Sequence, residues 1–309
     1  MLEKQPIVRI QQLSKSFGRS QALKDITFEI YPGEVVGFIG PNGAGKSTTI
    51  RIMLGLLKKT AGEIQIFGLD PFKESLSIHQ RISYVPGDLA LWENLSGGET
   101  IDLLMQLHGK ANQVKKQQLI ERFQLDVTKK IKSYSKGNRQ KVGLIAALAV
   151  ESDLYILDEP TSGLDPLMEV IFQEEVAQLK QAGKAILLSS HILSEVERLA
   201  DRVVIIQSGT VVESGTLASL RYLSQSTVHV QTKESLAGLK EWPFIQQLTM
   251  HNNHQATFAI ASERLNELLA KLSKFQLIHF EVLPATLEEV FMQHYQEPLK
   301  NPADKQVLK

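Results

Sequence analysis

A glycine-rich segment with a lysine is the first stretch of this sequence whose residue types suggest chemistry. Residues 40–48 read GPNGAGKST, between the apolar run EVVGFIG and the helical pattern STTIRIMLGLL. Gly40, Gly43 and Gly45 allow the backbone to bend until its N–H groups form a cradle for an anion at the positive end of a helix. A plain turn before a helix is the alternative, but the spacing G-x-x-x-x-G-K-[ST] and its context indicate a loop that binds a triphosphate.

Within this loop, the side chains that follow the last glycine have distinct expected roles. Lys46 supplies a positive charge for the β- and γ-phosphates, and the Ser47 hydroxyl is suited to ligate Mg²⁺. The residues expected to bind the nucleotide here are Gly40, Pro41, Asn42, Gly43, Ala44, Gly45, Lys46, Ser47 and Thr48.

Two acids at the end of an apolar strand form the second chemical pattern. Residues 154–160 read LYILDEP, so Asp158 and Glu159 directly follow a run that is typical of a buried strand. A carboxylate in that place is costly unless a cation meets it, and Mg²⁺ would be that cation. We expect Asp158 to hold the metal through water, and Glu159 to orient or deprotonate the water that attacks the γ-phosphate.

Histidines occur at two places where a ligand could be bound. His191 ends the strand pattern AILLSSH, at the carboxyl edge of the sheet where ligands of open α/β folds gather. It is a candidate contact to the γ-phosphate, and a structural histidine is the alternative. His251 and His254 flank two asparagines, which indicates a hairpin turn rather than a metal site.

The elements that must position these residues alternate between strands and helices. Through residues 7–210, short apolar strand patterns are separated by helical ones, an order that predicts an α/β fold with a parallel core. After Gly215 the order becomes βαββαβ, which predicts a small ferredoxin-like α+β domain. We place the first domain at residues 1–216, the second at 217–297, and a polar, disordered tail at 298–309.

The composition excludes several classes of function. Lys and Arg total 34 and so do Asp and Glu, so the chain lacks the basic field that would attract nucleic acid. Because there is no cysteine, thiolate metal sites and disulfides are excluded, and we expect a cytoplasmic protein. The longest apolar run, VGLIAALAV at 142–150, is too short to span a bilayer, so any membrane role requires a partner.

Over residues 5–215 these motifs, in matching order, resemble the nucleotide-binding subunit of ATP-binding-cassette (ABC) transporters. The resemblance implies a P-loop NTPase fold with a RecA-like core, an antiparallel β subdomain and a helical subdomain at about residues 88–150. It also implies that ATP and Mg²⁺ bind, that ATP is hydrolysed, and that two ATPase subunits form a homodimer or pair with a paralogue.

Two segments compete for the family's signature, a serine-glycine motif that lies roughly twenty residues before the acid pair. NLSGGET at 94–100 lies too early, and its Ser96 and Glu99 precede an apolar helix with the spacing of a capping box. YSKGNRQ at 134–140 lies at the matching distance and precedes another helix. We therefore assign the signature to the second segment.

The resemblance implies that Ser135, Gly137 and Asn138 meet the γ-phosphate of ATP held by a second subunit. Two residues depart from the family pattern: Lys136 stands in place of the usual first glycine, and Asn138 in place of the usual glutamine.

Three further landmarks follow from the same resemblance. Phe17 matches the aromatic residue that stacks on adenine, and the segment SGLD matches the loop in which Ser162 and Asp165 help to join the subunits. In ISYVPGD, however, Gly87 stands where the family has a glutamine that contacts metal and water. Either Asp88 or a water takes that place, or hydrolysis is slow and coupling relies on other surfaces; we favour the first alternative, which a change of Asp88 tests.

The family implies a division of labour between this chain and a membrane protein. The chain resembles the separate ATPase subunit that powers export through an integral-membrane permease, and it would sit at the inner face of the membrane through that partner. The ending LPATLEEVF is similar to that of ATPases of ABC-2-type exporters. A soluble ABC ATPase acting on ribosomes or DNA and a weakly hydrolysing regulatory subunit, which Gly87 favours, are the alternatives.

Overall fold

Buried strands and helices follow one another along the chain, as the sequence pattern predicts. The computed structural model describes residues 5–223 and 225–296. The strands are β1 Val8–Phe17, β2 Ser20–Ile30, β3 Val35–Ile39, β4 Ala61–Ile66, β5 Ile82–Val85, β6 Leu154–Asp158, β7 Ala185–Ser190, β8 Arg202–Gln207, β9 Thr210–Thr216, β10 Gln225–Thr232, β11 Gln246–Asn252, β12 Gln255–Ala261 and β13 Leu277–Leu283.

The α-helices range from short connecting turns to the long helix that follows the segment SGLD. They are α1 Lys46–Met53, α2 Ser75–His79, α3 Gly97–His108, α4 Gln113–Arg122, α5 Lys136–Leu148, α6 Pro166–Gln181, α7 Leu193–Leu199, α8 Leu217–Leu223, α9 Leu265–Leu272 and α10 Leu287–Gln296. Short 3-10 helices occupy Ile131–Ser133, Ala237–Glu241 and Ser262–Arg264. The chain divides into two compact units between Ser214 and Gly215.

The first unit is built on a six-stranded sheet with the order β5-β6-β7-β3-β8-β9. Strands β5, β6, β7, β3 and β8 pair in parallel, and β3, β6 and β7 are buried along their whole length. The register pairs Asp158 with Ser189 and Ile39 with Ser190, so three strands end side by side. The segments after β3, β6 and β7 therefore meet at one edge of the sheet.

A second, antiparallel sheet has the order β2-β1-β4. Its apolar residues share a core with the central sheet and α1; Ile10, Ile26, Phe38, Ile50 and Val204 are among the members. Rings Phe28 and Phe38, one from each sheet, lie 5.5 Å apart between centroids. This packing fixes the strand that precedes the glycine-rich loop.

Helices α3, α4 and α5 lie between β5 and β6 in the sequence. Ser96 caps α3: its Oγ accepts from the Glu99 N–H at 3.2 Å, and the Ser96 N–H donates to Glu99 Oε2 at 2.7 Å. The predicted capping box is confirmed, so the Ser96 hydroxyl already has a local structural partner.

The second unit has a four-stranded antiparallel sheet with the order β11-β12-β10-β13. This order and direction are those of a ferredoxin-like βαββαβ unit, with a short 3-10 helix in place of the first α-helix. Val228, Phe258, Ile260 and Leu268 lie in its core. Residues 298–309, expected to form a disordered tail, lie outside the described residues.

The predicted hairpin between His251 and His254 is present, because β11 and β12 pair on either side of it. The His251 ring lies 2.9 Å from Thr257 Oγ1, and His254 Nδ1 lies 3.2 Å from the Glu234 carbonyl oxygen. Within residues 5–223 and 225–296 no group of three or more acids and histidines has the arrangement of a metal site.

Candidate active site

The glycine-rich loop connects the end of β3 to the start of α1. Gly43 and Gly45 have φ angles of +80° and +116°, in the left-handed region that glycine adopts most readily. Space also requires glycine, since a Cβ at Gly45 would lie 2.6 Å from Leu23 Cδ2, and one at Gly40 would lie 2.3 Å from the Ile206 carbonyl oxygen. Any other residue at these positions would therefore strain the loop.

Lys46 begins α1 and is buried, with 7% of its surface exposed. Its Nζ donates to the carbonyl oxygens of Gly40 and Pro41, at 2.5 and 3.2 Å. Burial lowers the pKa of Lys46, while the nearby carboxylates of Glu159 and Asp158 raise it. The ammonium is thus held inside the loop by the loop's own carbonyls.

The acid pair lies directly after β6, as predicted. Asp158 is buried, and burial raises its pKa; the Glu159 charge raises it further and the Lys46 charge opposes this. Glu159 has a φ of +48°, and its N–H donates to the Ser189 carbonyl oxygen at 2.7 Å.

His191, which follows β7, lies beside the acid pair. Its Nδ1 is 3.0 Å from Glu159 Oε1, and more than half of the His191 side chain is exposed. Just before it, the Ser190 hydroxyl donates to Glu195 Oε2 at 2.7 Å and accepts from the Ile192 N–H at 3.0 Å. Burial raises the pKa of Glu195, and these contacts hold the backbone on either side of His191.

An open cavity of about 390 Å³ brings the loop and the acids together. Its lining comprises Pro41, Asn42, Gly43, Gly45, Lys46, Ser47, Thr48, Arg51, Tyr84, Pro86, Gly87, Asp88, Asp158 and Glu159. Ser47 is exposed here, so its hydroxyl is accessible to a ligand.

Three lining residues, Arg51, Tyr84 and Pro86, were not anticipated from the sequence. Arg51 lies on α1 one turn after Ser47, and Tyr84 projects from β5. Burial, together with the Asp158 charge, raises the pKa of Tyr84 to about 12, so the phenol is neutral. The i, i+4 spacing of Ser47 and Arg51 could have placed the arginine at the site, whereas the sequence carried no signal for the tyrosine.

Gly87 lies against the acid pair. A Cβ at this position would lie 3.4 Å from the Asp158 carbonyl oxygen, 3.6 Å from Glu159 Cβ and 3.7 Å from Asp158 Cγ. These are ordinary van der Waals distances, so a Cβ would fit. Asp88, the predicted substitute for the missing glutamine, also lines the cavity.

The other residues proposed from the sequence for ATP binding or dimer contact do not line this cavity. Among the described residues that line the cavity, none comes from Phe17 or from the segment Ser135–Asn138. Phe17 ends β1 with half of its surface exposed. Ser135 caps α5 and accepts from the Asn138 N–H at 3.3 Å, and Asp165 caps α6, accepting from the Met168 N–H at 3.1 Å.

Comparison with known proteins adds to this geometry. The family described as ABC transporter matches residues 23–162, and that of the C-terminal domain of DrrA1-3-like ATP-binding proteins matches residues 215–295. The uncharacterized ABC transporter ATP-binding protein YdbJ of Bacillus subtilis is 32% identical over 294 residues, covering 93% of this chain and 95% of YdbJ. The chain belongs to the ABC transporter ATP-binding proteins.

Other similarities agree with this ABC transporter assignment. The daunorubicin resistance ATP-binding protein DrrA3 of Streptomyces coeruleorubidus is 34% identical over 219 residues, 69% of each chain. A solved ATP-binding subunit of an ABC transporter is 35% identical, with a TM-score of 0.66 over 70% of this chain and 92% of that one. A dimeric bacterial ABC transporter cassette shares the fold at 24% identity, with a TM-score of 0.61 over 68% of this chain and 98% of that chain.

As a member of this family, the chain is an ATPase that binds ATP. The predicted α/β P-loop fold is confirmed. ABC ATP-binding subunits dimerise and work with membrane permeases. In the part of the chain that the structure describes, no helix combines the length and apolar character needed to cross a bilayer.

Proposed function

We propose that this chain binds ATP and Mg²⁺ in the cavity beside the glycine-rich loop and hydrolyses ATP in a dimer, so that a separate permease exports its substrate. The observation that carries the proposal is the convergence of Lys46, Asp158 and Glu159 on one cavity, with His191 3.0 Å from Glu159. Nucleotide-binding loops of this kind place an anion at a helix N-terminus.

The loop residues would hold the triphosphate. Backbone N–H groups of residues 42–43 and 45–48 would donate to phosphate oxygens, and Lys46 would exchange its carbonyl partners for the β- and γ-phosphates. Arg51 adds a second positive charge to the same cavity. Phe17, exposed at the end of β1, would stack on the adenine ring.

The residues present fit a magnesium ion. Asp158 is a buried carboxylate whose ionised form is disfavoured by burial and by Glu159, so a divalent cation would compensate for its charge. The exposed Ser47 hydroxyl would be the other protein contact. The metal, when bound, would neutralise negative charge on the phosphate oxygens.

Glu159 would orient or deprotonate the attacking water. The carboxylate is partly exposed to the cavity, and its neighbour His191 would hold it in place and contact the γ-phosphate. Phosphoryl transfer depends mainly on positioning and charge stabilisation, so fixing these groups is the main task of the protein.

The site would be completed by a second subunit. Ser135, Gly137 and Asn138 lie outside the cavity of their own chain, at the positive end of α5. In a head-to-tail dimer they would contact the γ-phosphate held by the partner, while Ser162 and Asp165 would contact the partner subunit. ATP would then close the dimer, and hydrolysis would open it.

Export is favoured by the second unit. Its match to the C-terminal domain of DrrA1-3-like proteins, together with the resistance function in the name of DrrA3, supports an ABC-2-type exporter. The permease would be a separate membrane protein, and the ATPase would lie at the inner face of the membrane. The balanced charge of the chain argues against nucleic acid as a partner.

A weakly hydrolysing regulatory subunit is the second candidate. It is favoured by Gly87, which cannot supply the side chain that the family places beside metal and water. Steady-state hydrolysis of MgATP by the purified chain separates the two functions. Turnover at an ordinary enzymatic rate, abolished in Lys46→Ala, supports the proposed ATPase, whereas nucleotide binding without turnover supports the regulatory subunit.

Transport itself needs a further experiment. The chain, produced together with candidate multi-span membrane proteins, should co-purify with one of them in detergent and gain ATPase activity in vesicles. If it associates instead with ribosomes or DNA and with no membrane protein, the exporter proposal is wrong.

A further inference from the structure

Lys136 occupies an unusual place in the first turn of α5, next to the Ser135 cap. A cation is disfavoured there because the N-terminal end of a helix carries partial positive charge. The Lys136 ammonium lies 2.8 Å from Ser162 Oγ and donates a hydrogen bond to it. Lys136 therefore reaches the segment Ser162–Asp165, which we call the 162–165 loop.

The same two segments also touch through their backbones. A Cβ at Gly137 would lie 2.3 Å from the Gly163 carbonyl oxygen, so only glycine permits this approach. Gly163 has a φ of +82°, and a Cβ built on it would lie 3.5 Å from Lys136 Cγ and Cδ. The methylene chain of Lys136 thus packs along Gly163, and its ammonium is directed to Ser162.

The 162–165 loop is held at both of its ends. Before it, the Gln140 amide on α5 donates to the Pro160 carbonyl oxygen at 2.9 Å. At its end, Asp165 caps α6. Among the described residues of α5, only Lys136 donates a side-chain hydrogen bond to the 162–165 loop itself.

We propose that Lys136 is a positioning residue that fixes the 162–165 loop to the first turn of α5, so that the two segments move as one unit. The inference rests on the proposed dimer, in which the α5 turn contacts the partner's γ-phosphate and the 162–165 loop contacts the partner subunit. Binding or loss of the γ-phosphate at Ser135 would then be transmitted to the subunit contact through Lys136 and Ser162.

The first test needs no nucleotide. Amide hydrogen exchange is measured on the nucleotide-free full chain as wild type, Lys136→Met and Lys136→Arg. Lys136→Met keeps most of the methylene packing but removes the donor, so exchange within the 162–165 loop should become about three- to tenfold faster, the effect of losing one hydrogen bond. Lys136→Arg keeps a donor and should restore protection; unchanged exchange in Lys136→Met overturns the inference.

The second test separates positioning from direct contact with the phosphate. ATPase kinetics are compared for Lys136→Met, Ser162→Ala and the double variant. If Lys136 acts through Ser162, each change should lower kcat about three- to tenfold with KM for ATP unchanged, and the double variant should match the single ones. Multiplying effects, or a raised KM in Lys136→Met alone, would show that the ammonium binds the partner's phosphate and would overturn the inference.

Failure of the proposed function and failure of the Lys136 inference give different results. A wild-type chain that neither hydrolyses ATP nor dimerises with it overturns the proposed function and this coupling role with it. Wild-type turnover combined with unchanged exchange in the 162–165 loop overturns the role of Lys136 alone. The melting temperature of each variant shows whether an effect comes from local or global loss of structure.

Discussion

His191 and Glu159 contact each other at 3.0 Å between Nδ1 and Oε1, although they follow different strands and lie 32 positions apart. The contact exists because β6 and β7 are neighbours in register, with Asp158 beside Ser189. The register of the sheet therefore fixes the position of His191 relative to Glu159.

The first prediction concerns this pair. Glu159→Gln should lower kcat about 10²–10⁴-fold, the usual loss when a general base is removed, and should trap an ATP-bound dimer visible by size-exclusion chromatography. His191→Ala should lower kcat as well, with ATP affinity nearly unchanged because the phosphate loop is intact. Hydrolysis by Glu159→Gln at the wild-type rate would show that another group activates the water.

The second prediction uses the space beside Gly87. Because a Cβ there meets only ordinary contacts, Gly87→Ala and Gly87→Gln should both fold with melting temperatures close to that of wild type. Gly87→Gln should raise kcat, since its amide would extend from a Cβ that lies beside Glu159, where the attacking water is proposed to bind, while Gly87→Ala is the matched control for backbone effects. Equal kcat values for the two variants would contradict this role for the amide.

Asp88 gives a separate prediction. If it takes the place of the missing glutamine, Asp88→Ala should lower ATP turnover, and adding Gly87→Gln should recover part of the loss. Unchanged turnover and transport in Asp88→Ala would mean that Asp88 is not the substitute.

The fourth prediction concerns pH and stability. Burial raises the pKa of Asp158 above its ordinary value of 3.8, so the unfolded chain releases this proton at lower pH than the folded one. Stability is therefore lost as pH rises from 3.8 through the folded pKa. Asp158→Asn cannot ionise and should raise the melting temperature of the nucleotide-free protein at pH 7, by roughly 2–4 °C for about 1 kcal/mol.

The gain in Asp158→Asn should shrink toward pH 4, where the unfolded aspartate also becomes protonated. The same variant should lose MgATP hydrolysis, because it removes the proposed metal contact. A gain of equal size at pH 4 and pH 7, measured by thermal melts, would show that it does not come from the Asp158 charge.

The fifth prediction tests the shape of the phosphate loop. Gly45→Ala combines a φ of +116° with a contact of 2.6 Å to Leu23, so nucleotide binding should be lost even if the chain folds. Gly183→Ala is the control, since its φ is +77° and nothing lies within 4 Å; it should cost about 1–2 kcal/mol and leave ATP binding intact. Fluorescent-nucleotide titration and melting temperatures measure both effects.

The sequence best predicts those structural features that depend on a few residues close together in the chain. The Ser96–Glu99 capping box depends on four consecutive residues, and it is present as expected. The edge of the sheet where Lys46, Asp158 and His191 gather follows from the rule that parallel strands end together. Tyr84 and the Lys136–Ser162 hydrogen bond depend on which side chains meet across distant segments, and no periodicity in the sequence encodes that.

The backbone of Glu159, with its φ of +48°, has a broader meaning. Glycine and asparagine tolerate this conformation far better than a residue with a long side chain. A chain shaped only to resist unfolding would carry one of those two at position 159. The carboxylate proposed to activate water would then be held at a cost in stability, at one of seven described positions other than glycine whose φ lies between +48° and +54°.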